Sequence, residues 1–209
     1  MARPLVMLIH GGFWQAQYDA SLMNDLAADL GAAGWETRNI EYRRLGNGGG
    51  WPATFDDVLA QVDEVGAARV VTVGHSAGGH LALWVAAERP LPGAVAQAGV
   101  LDLRGAAATG VGRDTVQRLI GGEPDAQPER YRSASPIERV PVGVPQLVVH
   151  GQLDDTVPVE MSRGYVEAAR AAGDEVEYVE LPAAGHYEHL DPRSDAWRAV
   201  RSWLASRWG

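Results

Sequence analysis

Short apolar runs alternate with longer amphipathic ones along this chain. Leu5–Ile9, Thr37–Tyr42, Val70–Val73, Ala94–Gln97, Gln146–Val149 and Val176–Leu181 read as strands. Several are apolar throughout, as strands buried on both faces are. Between them, about Ala20–Ala33, Thr54–Val65, Gly78–Glu88, Val159–Ala172 and Ser194–Arg207 read as helices. In the last, Trp197, Val200, Trp203 and Leu204 fall at offsets of three, six and seven, which makes one apolar stripe. Asp195, Arg198, Arg201 and Arg207 occupy other positions, so the stripe reads as a helix docked on a sheet rather than an aromatic binding surface. The alternation predicts an α/β chain: a mostly parallel sheet of about six strands, helices on both faces, and right-handed crossovers.

Two stretches break the pattern. Leu45–Pro52 carries four glycines and ends in Trp51–Pro52. Arg104–Pro145 is longer and holds Gly121–Gly122 and five prolines, with Asp114–Ile120 and Pro128–Arg132 as short helix candidates. There is no internal repeat and no low-complexity linker. The expectation is one domain over residues 1–209, with 104–145 inserted between the fourth and fifth strands as a minimal lid.

Composition removes classes of chemistry. The chain has no cysteine, and all eighteen of its Lys and Arg residues are arginine. No thiol nucleophile, disulfide or thiolate metal site can form. No lysine Schiff base or Walker-type phosphate loop can form either. The net charge of −9, with arginines scattered, argues against nucleic acid and anionic membrane as partners. No apolar run approaches a membrane span, and Met1–Ile9 is too short for a signal peptide. These features point to a cytoplasmic protein without cofactor or metal; they do not bear on its oligomeric state.

The strongest chemical signal is Gly74-His75-Ser76-Ala77-Gly78, followed by Gly79. It matches G-x-S-x-G, and it lies between an apolar β-branched run and a helix-compatible one, the context this motif requires. A serine on such a turn projects from the sheet, with free N–H groups at the helix start beside it. The plain alternative is that Ser76 only caps the helix. After the first strand comes His10-Gly11-Gly12-Phe13-Trp14. Its N–H groups at Gly12 and Phe13, with that of Ala77, could hold an oxyanion. After the Gln146–Val149 strand comes His150-Gly-Gln-Leu-Asp154-Asp155-Thr-Val-Pro158. Either aspartate could orient a histidine, and either could instead close a turn or cap the next helix. After the last strand, Gly185-His186 offers a base whose ordinary pKa of about 6.5 suits neutral pH.

Ser76, Asp154 and His186 each follow a strand and appear in the chain order Ser…Asp…His. His189 is the rival base. His10 and His150 are expected to bond within their own loops, His75 to shape the pocket wall, and His80 to be structural. A metal reading of His186, Glu188, His189 and Asp191 lacks a recognisable ligand spacing.

At these motifs the sequence resembles the α/β-hydrolase superfamily, and within it the esterase, prolyl-oligopeptidase-like and kynurenine-formamidase-like branch. Glu41-Tyr-Arg-Arg44, Gly49-Gly-Trp-Pro52 and Ser135-Pro136 are similar to that branch too. The resemblance makes Asp154 the acid, at the aspartate of G-x-x-D-x-x-V-P, and Gly12, Phe13 and Ala77 the oxyanion donors. It also implies that the chain starts at the usual third strand, and its Phe13 in place of a third glycine departs from the hormone-sensitive-lipase type.

The expected activity is a serine hydrolase of small carboxylic esters, with Trp14, Trp51 and His75 lining the substrate pocket. The alternatives are an amidase such as an arylformamidase, which an aromatic pocket of Trp14 and Trp51 would suit, and a silent binding protein on the same scaffold.

Overall fold

All six apolar runs form strands. The computed structural model describes residues 3–209, so Met1 and Ala2, the first residues of the stretch weighed as a signal peptide, lie outside the described residues. The strands are β1 (Leu5–Ile9), β2 (Thr37–Ile40), β3 (Val70–His75), β4 (Gly93–Gln97), β5 (Gln146–Gly151) and β6 (Val176–Leu181). They form one sheet in the order β2-β1-β3-β4-β5-β6, and every neighbouring pair is parallel. Parallel neighbours need crossovers, and helices supply them.

The period of two along each strand divides the core into two layers. Leu5, Met7 and Ile9 of β1 point to one layer, and Val6 and Leu8 point to the other. The helices α1 (Asn24–Ala32) and α8 (Asp195–Trp208) cover the second face. Leu26 and Leu30 meet Trp197, Val200, Trp203 and Leu204 there, so the predicted stripe of α8 is the docked face. The Trp197 indole N–H also donates to Asp29 at 2.7 Å, tying α8 to α1. The first face carries α2 (Ala53–Val65), α3 (Ala77–Glu88) and α7 (Val159–Ala171). α3 is buried from Ala77 to Ala86 without a polar face, because sheet and insertion enclose it.

Several boundaries differ from the sequence reading for local reasons. The helix expected from Ala20 starts as a 3₁₀ turn over Ala20–Met23, capped by Asp19, before α1 begins. β2 stops at Ile40, and Tyr42 turns inward to stack on His10 at 4.4 Å and donate to His10 O at 2.8 Å. The 104–145 stretch is more helical than expected. It includes α4 (Leu103–Thr109), α5 (Thr115–Ile120) and α6 (Pro128–Ala134). The Asp102 side chain caps α4 by accepting from Gly105 N at 2.9 Å, a signal hidden in a short, alanine-rich segment. No helix among the described residues is long and apolar enough to cross a membrane.

Candidate active site

Parallel strands bring the loops after their carboxyl ends to one edge of the sheet. In register, Ile9 meets Gly74, His75 meets Gln97, and Gly151 meets Leu181. The segments after β1, β3, β5 and β6 carry the four motifs, and this edge gathers them.

β3 runs to His75 and α3 starts at Ala77, leaving one residue for the turn. That residue is Ser76, with φ +56° and ψ −119°, a conformation L residues seldom take. Its N–H donates to Gln97 O at 2.8 Å, which helps hold the strain. The flanking glycines are steric requirements. A Cβ on Gly74 would fall on the Gly78 carbonyl, and one on Gly78 would fall on the Ile9 carbonyl of β1. Ser76 occupies the N-cap position of α3, but its side chain makes no capping hydrogen bond. The capping alternative is therefore not the one seen.

The loop after β1 turns through three successive positive φ values: Gly12 (+100°), Phe13 (+51°) and Trp14 (+54°). Gln15 N donates to Gly12 O within the loop, and Leu45 N, from the segment after β2, donates to Trp14 O; neither bond uses the N–H groups of Gly12 or Phe13. Ala77, as the first residue of α3, has no acceptor within its own helix.

Asp154 does two jobs. Oδ1 accepts from Thr156 N at 2.9 Å and Val157 N at 2.7 Å, closing the turn. Oδ2 is 2.7 Å from His186 Nδ1 and 3.1 Å from His150 Nε2. The carboxylate can only accept, so both imidazoles donate. His150 also points Nε2 at Val157 O (3.0 Å), while Ser162 Oγ–H donates to its Nδ1 (2.7 Å). Burial opposes charge on Asp154, but the bonds from His150, His186 and the Val157 N–H outweigh it and hold the carboxyl far below the usual range. Asp155 only accepts from the Thr156 hydroxyl at 3.1 Å, and no side chain caps α7. Of the two aspartates, Asp154 closes the turn, neither caps α7, and Pro158 stands at the N-cap position of that helix.

With Nδ1–H pointed at Asp154, His186 keeps Nε2 free to accept a proton. His75 supports this ring from below: its Nε2–H donates to His186 O at 2.9 Å, and the rings lie 4.6 Å apart. Burial first, then the neighbouring imidazoles of His186 and His189, hold His75 neutral by pushing its pKa well down. Ser76, His75, His186, Gly12 and Phe13 share one cavity. The rival His189 makes no such pairing. It is fully buried, neither ring nitrogen has a partner, and burial pushes its pKa down to about 3. His80, as expected of a structural residue, donates to Ala134 O at 2.9 Å. His10 donates to Gly11 O in its own loop, but it also faces Arg44 and Glu41 across the chain.

Two expected pocket residues stand elsewhere. Trp14 is fully buried and packs edge-on to His80 at 5.2 Å, because its positive φ turns the side chain into the core. Trp51 packs on Phe55 at 4.7 Å and on Trp84. Neither lines the cavity at Ser76, and the aromatic wall expected from them is withdrawn. The cavity instead takes Tyr18, Leu22, Thr156, Tyr187 and Leu190. These come from loops and two 3₁₀ turns, Ala20–Met23 and Glu188–Leu190, where no periodicity marks them; the adjacency of Tyr187 to His186 is the one clue the sequence offers. Among the described residues, no group of three or more acidic or imidazole side chains could hold a metal ion. Glu188 accepts from Gly185 N and Asp191 from Arg193 N instead.

A parallel sheet with a strained serine turn after an inner strand, and an Asp–His pair beside it, defines the α/β-hydrolase class. Within that class, the chain belongs to the prolyl oligopeptidase family, whose model matches residues 39–208. It is 32% identical to esterase LipC of Mycobacterium tuberculosis over an alignment of 222 residues, covering 90% of this chain and 54% of the relative. It is 28% identical to the probable carboxylic ester hydrolase LipM of the same organism, covering 88% and 49%. The chain thus spans about half the length of these curated relatives. Among solved structures, a truncated carbohydrate esterase from gut microbiota superposes with a TM-score of 0.83 at 20% identity, over 99% of this chain and 86% of that one. An esterase of Thermogutta terrifontis does so at 0.76 and 22% identity, over 98% and 84%. At such identities the likeness is one of fold.

Proposed function

We propose that this chain is a carboxylic ester hydrolase working through Ser76, His186 and Asp154. The observation that carries the reading is the pairing of His186 Nδ1 with Asp154, in the same cavity as a serine held at positive φ. The names of the relatives LipC and LipM favour esters over other acyl compounds. The amidase alternative loses its support with the aromatic wall of Trp14 and Trp51.

In this mechanism His186 Nε2 takes the Ser76 hydroxyl proton as Oγ attacks the ester carbonyl carbon. The carbonyl oxygen becomes an oxyanion, held by the N–H groups of Ala77, Gly12 and Phe13. Asp154 stabilises the imidazolium, which then protonates the departing alkoxide and leaves Ser76 acylated. Water gives a proton to His186 and attacks the acyl carbon; as the bond to Oγ breaks, His186 returns that proton to Ser76 and the acid departs. Residues 104–145 act as a minimal lid, supported by the packing of the Gly112 backbone against the Phe13 ring.

The test is Ser76→Ala assayed on p-nitrophenyl acetate. Turnover should fall by about 10³-fold or more. Labelling by a fluorophosphonate probe should vanish with it. Wild-type turnover in the variant would sink the assignment.

A further inference from the structure

The N–H of Gly12 and the carbonyl of Gly11 belong to one peptide unit, which is trans and planar, so they point in opposite directions. Whatever holds the Gly11 oxygen therefore aims the Gly12 donor. This unit lies beside the nucleophile, since a Cβ on Gly11 would stand 2.9 Å from Ser76 Cβ. It also opens the run of positive φ values at Gly12, Phe13 and Trp14, a conformation that persists only where the surroundings over-determine it.

The group on the Gly11 oxygen is the His10 ring, whose Nδ1 lies 2.8 Å away. A carbonyl only accepts, so Nδ1 carries the proton. Burial, with a lesser push from the Arg44 charge, outweighs the Gly11 bond and the Glu41 and Asp19 charges and holds the His10 pKa down. The ring is then neutral, and Nε2 keeps a lone pair. That lone pair faces Arg44, whose Nη1 donates to it at 3.4 Å. The same guanidinium donates to Tyr18 O and pairs with Glu41 Oε2 at 2.8 Å. Tyr18 in turn packs on the Gly12 Cα: a Cβ there would fall 2.4 Å from Tyr18 Cγ.

The Arg44 side chain is only 11% exposed, and neither it nor the His10 ring lines the cavity with Ser76. Resting on the ester-hydrolase reading above, we propose that Arg44 is a positioning residue: it fixes the His10 tautomer, and His10, through the Gly11 carbonyl, aims the Gly12 N–H at the oxyanion. The other tautomer would turn an Nδ1 lone pair on the Gly11 oxygen and push that peptide away, and the Gly12 donor would swing with it. Arg44 holds the loop from a second side as well, through the backbone of Tyr18, against which Gly12 packs. Both effects reach the reacting atoms through the loop alone. They count where the carbonyl oxygen gains charge, and hence in the transition state more than in the bound ester.

Steady-state kinetics of the full chain on p-nitrophenyl acetate test this. Rates are expressed per active site titrated to completion by a fluorophosphonate, so misfolded chains are not counted. His10→Ala and Arg44→Met should each lower kcat by about 10–100-fold, less than the roughly 10²–10³ of a deleted donor, with KM moved by less than about threefold. Arg44→Lys, a single cation without the fork, should fall between Arg44→Met and the wild type. His10→Asn can place an amide N–H where Nδ1–H stands and should recover much of the loss, whereas His10→Gln, which reaches toward the Nε2 position, should not. The double variant His10→Ala/Arg44→Met should lose less than the product of the two single losses, because both act through one carbonyl. A trifluoromethyl ketone, whose adduct with Ser76 carries the oxyanion, should bind more weakly in each variant by the factor that kcat/KM falls. Changes in kcat below about threefold, losses carried by KM, or Asn no better than Gln overturn the inference. If the wild-type chain takes the label and turns over the ester, the hydrolase reading survives such a result; if it does neither, both fall.

Discussion

At the scale of single residues, Asp154 is where turn geometry and proposed chemistry meet. One oxygen closes the turn and the other accepts from two imidazoles. Asn at this position would keep a carbonyl oxygen for the turn, but its amide would point a donor at His186 Nδ1–H. The histidine would relieve that conflict by moving its proton to Nε2, the wrong tautomer for a base. Asp154→Asn should therefore lower kcat by about 10⁴-fold with a smaller change in KM. Steady-state kinetics on a short ester check this, and retention of a tenth of the activity would exclude the role. His75 offers a subtler case. It holds the His186 carbonyl rather than its ring nitrogens, so His75→Ala should reduce kcat by about tenfold, less than the loss of any reacting group. A deficit as large as that of Asp154→Asn would place His75 in the chemistry itself.

At the scale of elements, the crossing of β1 over α3 depends on having no side chain at Gly78. A Cβ there would meet the Ile9 carbonyl, which is backbone and cannot swing aside. Gly78→Ala should destabilise the chain by about 3 kcal/mol or abolish folding. Gly164 is the contrast. It lies inside α7, and the methyl group of an alanine there would have nothing within 4 Å, so Gly164→Ala should stabilise by about 0.5–1 kcal/mol. Urea midpoints for the two variants should move in opposite directions. These two glycines also show what a sequence can carry. Gly78 belongs to a motif whose spacing reports a backbone crossing, and the strands, the elbow and the His186 loop are legible for the same reason: each is a local pattern. Trp14 is not. Its side-chain direction follows from positive φ values in the β1 loop, and no pattern of residue types there separates a pocket wall from a core. Tyr18, Leu22 and Leu190 are equally hidden, since they line the cavity with Ser76 only because the fold brings the β1–α1 and β6–α8 connections together. α4 is hard to read because its cap, Asp102, precedes a run with little amphipathic signal.

At the scale of the molecule, the buried histidines couple folding to pH. Burial, against a hydrogen bond to Ala134 O, holds the His80 pKa down to about 4, and burial holds that of His189 down to about 3. Both rings are neutral in the folded chain above those values, whereas the unfolded chain protonates them near their ordinary 6.5. Between pH 6.5 and about 4, the unfolded state thus binds protons that the folded state refuses, so stability falls as pH falls. Each histidine contributes a slope approaching about 1.4 kcal/mol per pH unit well inside that window. Acidification also trims the net charge of −9, which acts in the stabilising direction. That effect is the smaller one here, because most carboxylates remain ionised above pH 4.5 and their repulsion is screened beyond about 8 Å at physiological salt. Urea unfolding at pH 7, 5.5 and 4.5 should therefore show a steady loss of stability. His80→Gln keeps a side-chain donor for Ala134 O but cannot titrate. It should lower stability at pH 7 and flatten the pH slope by about 1.4 kcal/mol per unit. The slope separates titration from packing damage, since a void left by the smaller side chain costs the same at every pH. An unchanged slope would mean that His80 protonates freely in the folded chain, and that the layer between α3 and the 104–145 segment opens to water.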